Sequence, residues 1–401
     1  MSINFWISIF SFVCFIGVAR LLTQLKSFSF LNGRSSRFET VDGLRGFLAL
    51  SVFFHHFVIT FYWKLNGAWT RPPEDYYQNY GKVGVGIFFM ITGFLFVSKI
   101  LKDKESLNWL KLYESRFFRI FPLYVFAVVS ITIVAFDSAG YQLNSSLEDI
   151  LKQLIRWGLF IGGNINEFQD SWIVIAGVDW TLKYEWLFYF SLPFLSFALL
   201  KGRLPAVAII IFLCIVFFVR PIGFTVFTTK YFLLFAVGGI SSWLVSSHSF
   251  KIDLSGSKIA SIVAVLFILS SLFYPRTFDL FHVMIISLLF VFVVLGCDLF
   301  GLLRMKSAII LGEISYSIYL LHGLVLYFIF THLQVVDIKN MDSTTYSLFM
   351  PLIGIVVIIL SSLTYLFIEK PFLEIGKEYR ITKALKLLVT NANKALQRTS
   401  R

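Results

Sequence analysis

Charge is what this chain has least of. Asp, Glu, Lys and Arg make up only 14% of its 401 residues, against roughly 25% in soluble domains, and that excludes a water-soluble globule. Cysteine is scarce too. Cys14, Cys214 and Cys297 lie apart in apolar runs with no neighbour at metal or redox spacing, so buried, inert thiols are expected, and neither a disulfide nor a metal site. Internal repeats, heptads and low-complexity tracts are absent. Acidic residues number 23 against 35 basic ones, a net charge of +12. In a soluble chain that excess would suggest nucleic acid. In one this apolar it reflects topology, because Lys and Arg gather on the cytoplasmic side, and no nucleic-acid partner is expected.

What remains is apolar: 57% hydrophobic residues, including 47 Phe. A bilayer span takes about 20 mostly apolar residues, and eleven such segments can be read, near 3–22, 41–63, 81–101, 118–136, 182–200, 204–220, 230–247, 258–274, 279–299, 307–332 and 346–368. The expected fold is all-α, a polytopic transmembrane helical bundle of about eleven spans in contact with membrane lipid. Arg20, Lys26, Arg34 and Arg37 follow the first segment, which puts the N-terminus outside and that loop in the cytoplasm. Alternation then requires every later internal loop to be basic. Lys99, Lys102, Lys104, Lys111 and Arg116 meet that demand, as do Lys201 with Arg203, Lys251 with Lys258, Arg304 with Lys306, and the tail from Lys370. The C-terminus is therefore expected in the cytoplasm.

The first segment has no basic n-region and no small-residue cleavage motif, so it is read as a retained anchor. The stretch 145–160 is too short and too charged to span. Ser146 and Asp149 begin it as a capping box, Ile150, Leu151, Leu154 and Trp157 share a face, and an interfacial helix is expected. The tail 381–396 reads as a basic amphipathic segment on the cytoplasmic leaflet.

Titratable groups inside spans are costly and mark function. The second span carries Asp42, Arg45, His55 and His56. From Arg45 to His56 is three helical turns plus about 20°, so the two share a direction, with Asp42 within about 40° of it and His55 turned about 80° away. His56 would lie roughly 16 Å deeper than Arg45. A neutral His there can take a proton from a hydroxyl. Arg116 and Arg119 share one helical face and suit a polyanion such as a phosphate. Glu185, just inside the outer end of its span, wants Lys183 or a His across the bundle as partner. Ser315, Tyr316, Ser317, Tyr319 and His322 could be packing glue or line a polar cavity. Gly81, Gly84, Gly86 and Gly93 suit close helix packing.

These blocks, in this order, resemble the acyltransferase family 3 of integral membrane enzymes. The resemblance rests on "DGLRG" with His56 eleven residues after Arg45, on "GVGIFFMITGFL", "RFFRIFPLY", "WTLKYE" with Trp180, "ISYSIYLLH" and "EKPF". The chain departs from the pattern at Gly86, where an acidic residue is usual, and has Thr92 and Thr181 in place of Ser. The resemblance implies an O-acetylating enzyme of a bacterial inner membrane. Acyl-CoA, acetyl-CoA above all, would be the donor substrate, with no bound cofactor. A surface glycan such as O-antigen lipopolysaccharide or exopolysaccharide, or a lipid-linked sugar, would be the acceptor. It divides the chain into an anchor and linker (1–36), a membrane acyltransferase domain (37–372) and a basic tail (373–401), ten family spans plus one. In that reading His56, Arg45 and Asp42 form the catalytic group and Arg116 and Arg119 bind the donor. Glu185, Trp180, Ser315, Tyr316, Ser317 and His322 are acceptor-side or structural polar groups. The competing class is a transporter of a glycan or small carboxylate, for which intramembrane charge also speaks but the missing repeat does not.

Overall fold

Inside hydrocarbon a backbone must satisfy its own hydrogen bonds, and apolar runs of this length can do so only as helices. The computed structural model describes residues 3–31, 38–200, 229–246 and 252–378. The expected span 204–220, Cys214, the basic positions Arg34, Arg37, Lys201, Arg203 and Lys251, and the tail beyond Glu378 lie outside these. The helices are α1 (Phe5–Leu22), α2 (Glu39–Asn66), α3 (Asp75–Asp103), α4 (Trp109–Ser138), α5 (Leu147–Gly158), α6 (Trp180–Leu200), α7 (Thr229–Ser246), α8 (Lys258–Leu272), α9 (Leu280–Val294), α10 (Lys306–Glu313), α11 (Ser315–Tyr327), α12 (Phe349–Thr364) and α13 (Lys370–Glu378). π-helical turns extend α11 over Phe328–His332 and join α12 to α13 over Tyr365–Glu369. Among the described residues there is no strand, only one isolated bridge between Ile165 and Phe168.

Among the described residues five helical segments are long and apolar enough to cross a bilayer, and six if α10 with α11, bent by 66° at Ile314, is taken as one broken span. That is fewer than the eleven segments read from hydropathy. The apolar helices α8 and α9 have 15 residues each, about 22 Å at 1.5 Å per residue, short of a hydrocarbon core near 30 Å. The stretch 145–160 does form a helix of its own, α5, capped by Ser146 accepting from the Asp149 N–H at 3.1 Å. Ile150 and Trp157 are buried, whereas Leu147, Leu151 and Ile155 form an exposed apolar stripe.

Glycines set how closely α2 meets its neighbours. A Cβ at Gly43 would collide with the Leu303 carbonyl, one at Gly46 with Leu311, and one at Gly312 with the Asp42 carbonyl. The start of α2 therefore lies directly against the 303–313 segment, which brings Asp42 and Arg45 beside Glu313. On the other side of α2, Gly81 of α3 makes room for the His55 ring. The first helix belongs to the same assembly. Phe15 packs on Gly354 of α12, Ser8 Oγ meets the Tyr80 hydroxyl at 3.0 Å, and the Ile3 N–H donates to Glu74 at 3.0 Å.

Candidate active site: an arginine cavity and a histidine pocket

Around the N-terminal ends of α2 and α4 the bundle holds a cavity of about 750 Å³, a volume in the range of small-molecule and cofactor sites. Arg45, Arg116 and Arg119 line it, with Asp42, Glu185 and Glu313 as carboxylates and Lys370 and Lys377 at the α13 end. Their surroundings differ. Arg119 is held in place: Nη1 lies 3.7 Å from Glu369, a carboxylate that is almost wholly buried, and Nη2 reaches the Glu313 carbonyl at 3.5 Å. Glu369 also accepts from Ser317, whose hydroxyl in turn takes a bond from Thr364 at 3.1 Å. Arg116 is less committed. Its guanidinium lies 5.3 Å from the centre of the Phe96 ring and touches Ser115 at 3.4 Å. Arg45 feels attraction from Asp42 and Glu313 and repulsion from its two neighbouring arginines.

Deeper along α2 is a second, smaller pocket of about 70 Å³, lined by His55, His56, Lys82, Trp180, Tyr231 and Phe278 among others. The two histidines point apart, as the helical geometry requires. His55 Nδ1 donates to the Tyr77 carbonyl of α3 at 2.9 Å. His56 faces α11, where its Nδ1 lies 2.9 Å from His322 Nε2. The hydrogen bonds fix the tautomers of this pair. A carbonyl can only accept, so His322 Nδ1, 3.0 Å from the Ile318 carbonyl, carries a proton. In the neutral ring Nε2 is then bare and accepts from His56 Nδ1–H, which also lies 3.1 Å from the Val52 carbonyl one turn back on α2. That leaves the lone pair of His56 on Nε2, the nitrogen a base would use.

Cavity and pocket share Val85 and Tyr319. The Tyr319 hydroxyl donates to the Val178 carbonyl at 3.0 Å and lies 3.0 Å from Thr181 Oγ1, forming a closed neck between them. Its partners come from a buried loop: Ile173, Val174, Ile175 and Val178 are all inside the protein, and Gly323 of α11 lets the Ile175 backbone approach.

The structure sorts the residues singled out in the sequence into two groups. Asp42, Arg45, Arg116, Arg119, Ser315 and Tyr316 surround the large cavity, and Ser317 ties into it through Glu369. His56 and Trp180 line the small pocket, and His322, wholly buried, bonds to His56 from outside its lining. Glu185 departs from expectation. It lines the arginine cavity, and it accepts from Tyr189 at 2.9 Å, with neither Lys183 nor a histidine as partner. The physical reason is that α6 begins inside the bundle, after the buried loop, so one turn along it is already deep. Three contributors were not singled out as site residues: Glu313, Glu369 and Lys82. Glu369 lies within "EKPF" and Glu313 directly before "ISYSIYLLH", so for these two the signal was present as a charge inside an apolar run.

Such an assembly, a charged cavity leading to a buried base within a helical membrane bundle, suits a group-transfer enzyme. A family model described as an acyltransferase domain matches residues 38–366, and the chain belongs to that family, the membrane acyltransferases of family 3. It is an acyltransferase. The chain is 26% identical over 323 residues to the exopolysaccharide production protein ExoZ of Rhizobium meliloti, covering 76% of this chain and 93% of that one. It is 27% identical over 167 residues to acyltransferase MdmB of Streptomyces mycarofaciens, covering 40% and 39%. No solved structure matches. Family membership decides for an enzyme over the transporter.

Proposed function

We propose that this protein moves an acyl group, acetyl in the first instance, from cytosolic acyl-CoA to a hydroxyl of a cell-surface polysaccharide or its lipid-linked precursor, with His56 as general base. The observation that carries this reading is the pairing of an arginine-lined cavity with a histidine pocket across two shared side chains, Val85 and Tyr319. Acyl-CoA is a long, heavily phosphorylated molecule with its reactive carbonyl at the far end. Arg116, Lys370 and Lys377 would take the phosphates, Arg45 would lie beside the pantetheine arm, and the thioester would pass Tyr319 to reach His56. The printed name of ExoZ supports a polysaccharide acceptor. The positive-inside pattern supports the arginine cavity opening to the cytoplasm of a bacterial inner membrane.

At the pocket, His56 Nε2 takes the proton of the acceptor hydroxyl as its oxygen attacks the thioester carbonyl carbon. The tetrahedral intermediate collapses with cleavage of the C–S bond, and the sulfur leaves as thiol after receiving that proton from His56. His322 acts as a positioning residue, aiming the ring whose Nδ1–H it shares with the Val52 carbonyl, so that Nε2 stays bare. The test uses inverted membrane vesicles supplied with radiolabelled acetyl-CoA on the cytoplasmic face. Label reaching glycan with wild type and not with His56→Ala is the expected result. Equal labelling by the variant would remove His56 from the reaction, and no labelling in an acceptor-rich strain would remove the donor and acceptor named here.

A further inference from the structure

One cation in the histidine pocket has no counterpart. Lys82 lines that pocket with His55 and His56. Among the described residues it makes no ion pair and no hydrogen bond, no Asp or Glu lines the pocket, and no carboxylate is near enough to act on its charge. The rest of the sequence cannot supply one from a side chain. Residues 1–2, 32–37, 201–228, 247–251 and 379–401 contain no Asp or Glu, and Glu378 directly follows Lys377, which lines the arginine cavity and not this pocket. Glu105 lies 23 positions further along, beyond the opposite end of α3, roughly 34 Å away at helical rise.

The contrast with the other cations of the site is chemical. Arg119 has Glu369 and the Glu313 backbone, and Arg45 has Asp42 and Glu313 within electrostatic reach. An ammonium held among Trp180, Tyr231 and Phe278 with no such partner is poorly solvated and strongly favours an incoming anion. The donor's phosphates belong to the arginine cavity on the far side of Tyr319. Besides the acyl end of the donor, what this pocket meets is the acceptor, and at about 70 Å³ it takes one edge of it, the reacting hydroxyl with the group beside it.

We propose that Lys82 is an anion subsite for the acceptor: the sugar whose hydroxyl meets His56 carries a negatively charged group, a ring carboxylate or the diphosphate of a lipid carrier, that pairs with the Lys82 ammonium. This rests on the acyl-transfer reading above and adds the charge class of the acceptor. The pairing orients the sugar, so that one hydroxyl is presented to His56 Nε2 and its neighbours are not.

The test places the full chain in proteoliposomes with acetyl-CoA and three acceptors: octyl glucoside, octyl glucuronide and farnesyl-diphosphate-linked glucose. Wild type is compared with Lys82→Met, Lys82→Gln and Lys82→Arg. Wild type should favour a charged acceptor over the neutral one in kcat/KM, and that ratio should fall tenfold or more in Lys82→Met and Lys82→Gln while Lys82→Arg retains it. A fall confined to the glucuronide assigns the ring carboxylate, and one confined to the diphosphate assigns the carrier. Acetylation that depends on His56 but shows one ratio for wild type and both neutral variants would overturn the subsite and leave acyl transfer standing. No label on any acceptor would remove both.

Discussion

The two chambers on either side of Tyr319 are built on opposite plans. The arginine cavity is roomy, and its charges answer one another: Arg45, Arg116 and Arg119 are set among Asp42, Glu185, Glu313 and Glu369. The histidine pocket is about a tenth of that size, walled by aromatic rings, and its ring nitrogens bond to carbonyls and to each other. A wet, charged chamber can grip a large anion but would solvate any base placed in it. A dry, narrow one keeps a histidine neutral and aimed but has little surface to bind with. Separating them lets one molecule hold its substrate in one place and react it in another.

That contrast is broken most severely at His56. His56→Ala should lower the transfer rate by about 10²- to 10⁴-fold with the protein still monodisperse on size-exclusion chromatography. His322→Ala comes next. The Val52 carbonyl still takes the His56 Nδ1–H, so the tautomer survives while the ring loses its anchor on α11. Accordingly kcat should fall by roughly ten- to a hundredfold with little change in the KM for acyl-CoA, and an unchanged kcat would show that the His–His bond is only packing. The arginines sharpen the comparison inside the cavity. Arg116→Ala should raise the KM for acyl-CoA by roughly ten- to a hundredfold, the range for losing a charge-assisted hydrogen bond, at near-native melting temperature. Arg119→Ala should instead destabilise the protein by about 3–5 kcal/mol, because it strands the buried Glu369. Joining it to Glu369→Leu should restore the melting temperature. The smallest effect belongs to His55→Asn, which loses a single bond to the Tyr77 carbonyl and should cost about fivefold or less. A loss equal to that of His56 would mean the two rings share one role.

Much of this was legible because membrane helices leave strong marks. The apolar runs gave nearly every described helix, and the 100° geometry of α2 does turn His56 toward His322 and His55 toward Tyr77. But both rings line one pocket, and Asp42 and Arg45, read on one face with His56, line the other cavity. The neighbours of those residues were harder to read. The run from 307 to 332 is interrupted by a short polar block, Glu313 to Ser317, but that block reads equally as packing glue within one span, so the sequence reading keeps a single span and misses the 66° bend between α10 and α11. Yet that bend sets Glu313 at one chamber and His322 at the other. Depth along α6 was misjudged because the loop before it, 161–179, is polar enough to look external while its last turns are buried. Lys82 and Glu369 went unweighed for a related reason. Near the end of a span a charge reads as anchoring, and only its partners, or the want of them, reveal otherwise.

The closed neck at Tyr319 carries a consequence beyond the reaction. A cavity that runs from one face of a bilayer to a polar pocket deep within it is half of a pore. Completed by an entrance for sugars on the other side, it would let protons and ions drain through a membrane that stores energy as a voltage. On the proposed reading, the Tyr319 hydroxyl, held by the Val178 carbonyl and Thr181, would be where that leak is stopped between turnovers. The same ring that swings aside for an acyl group would then serve, at rest, as electrical insulation.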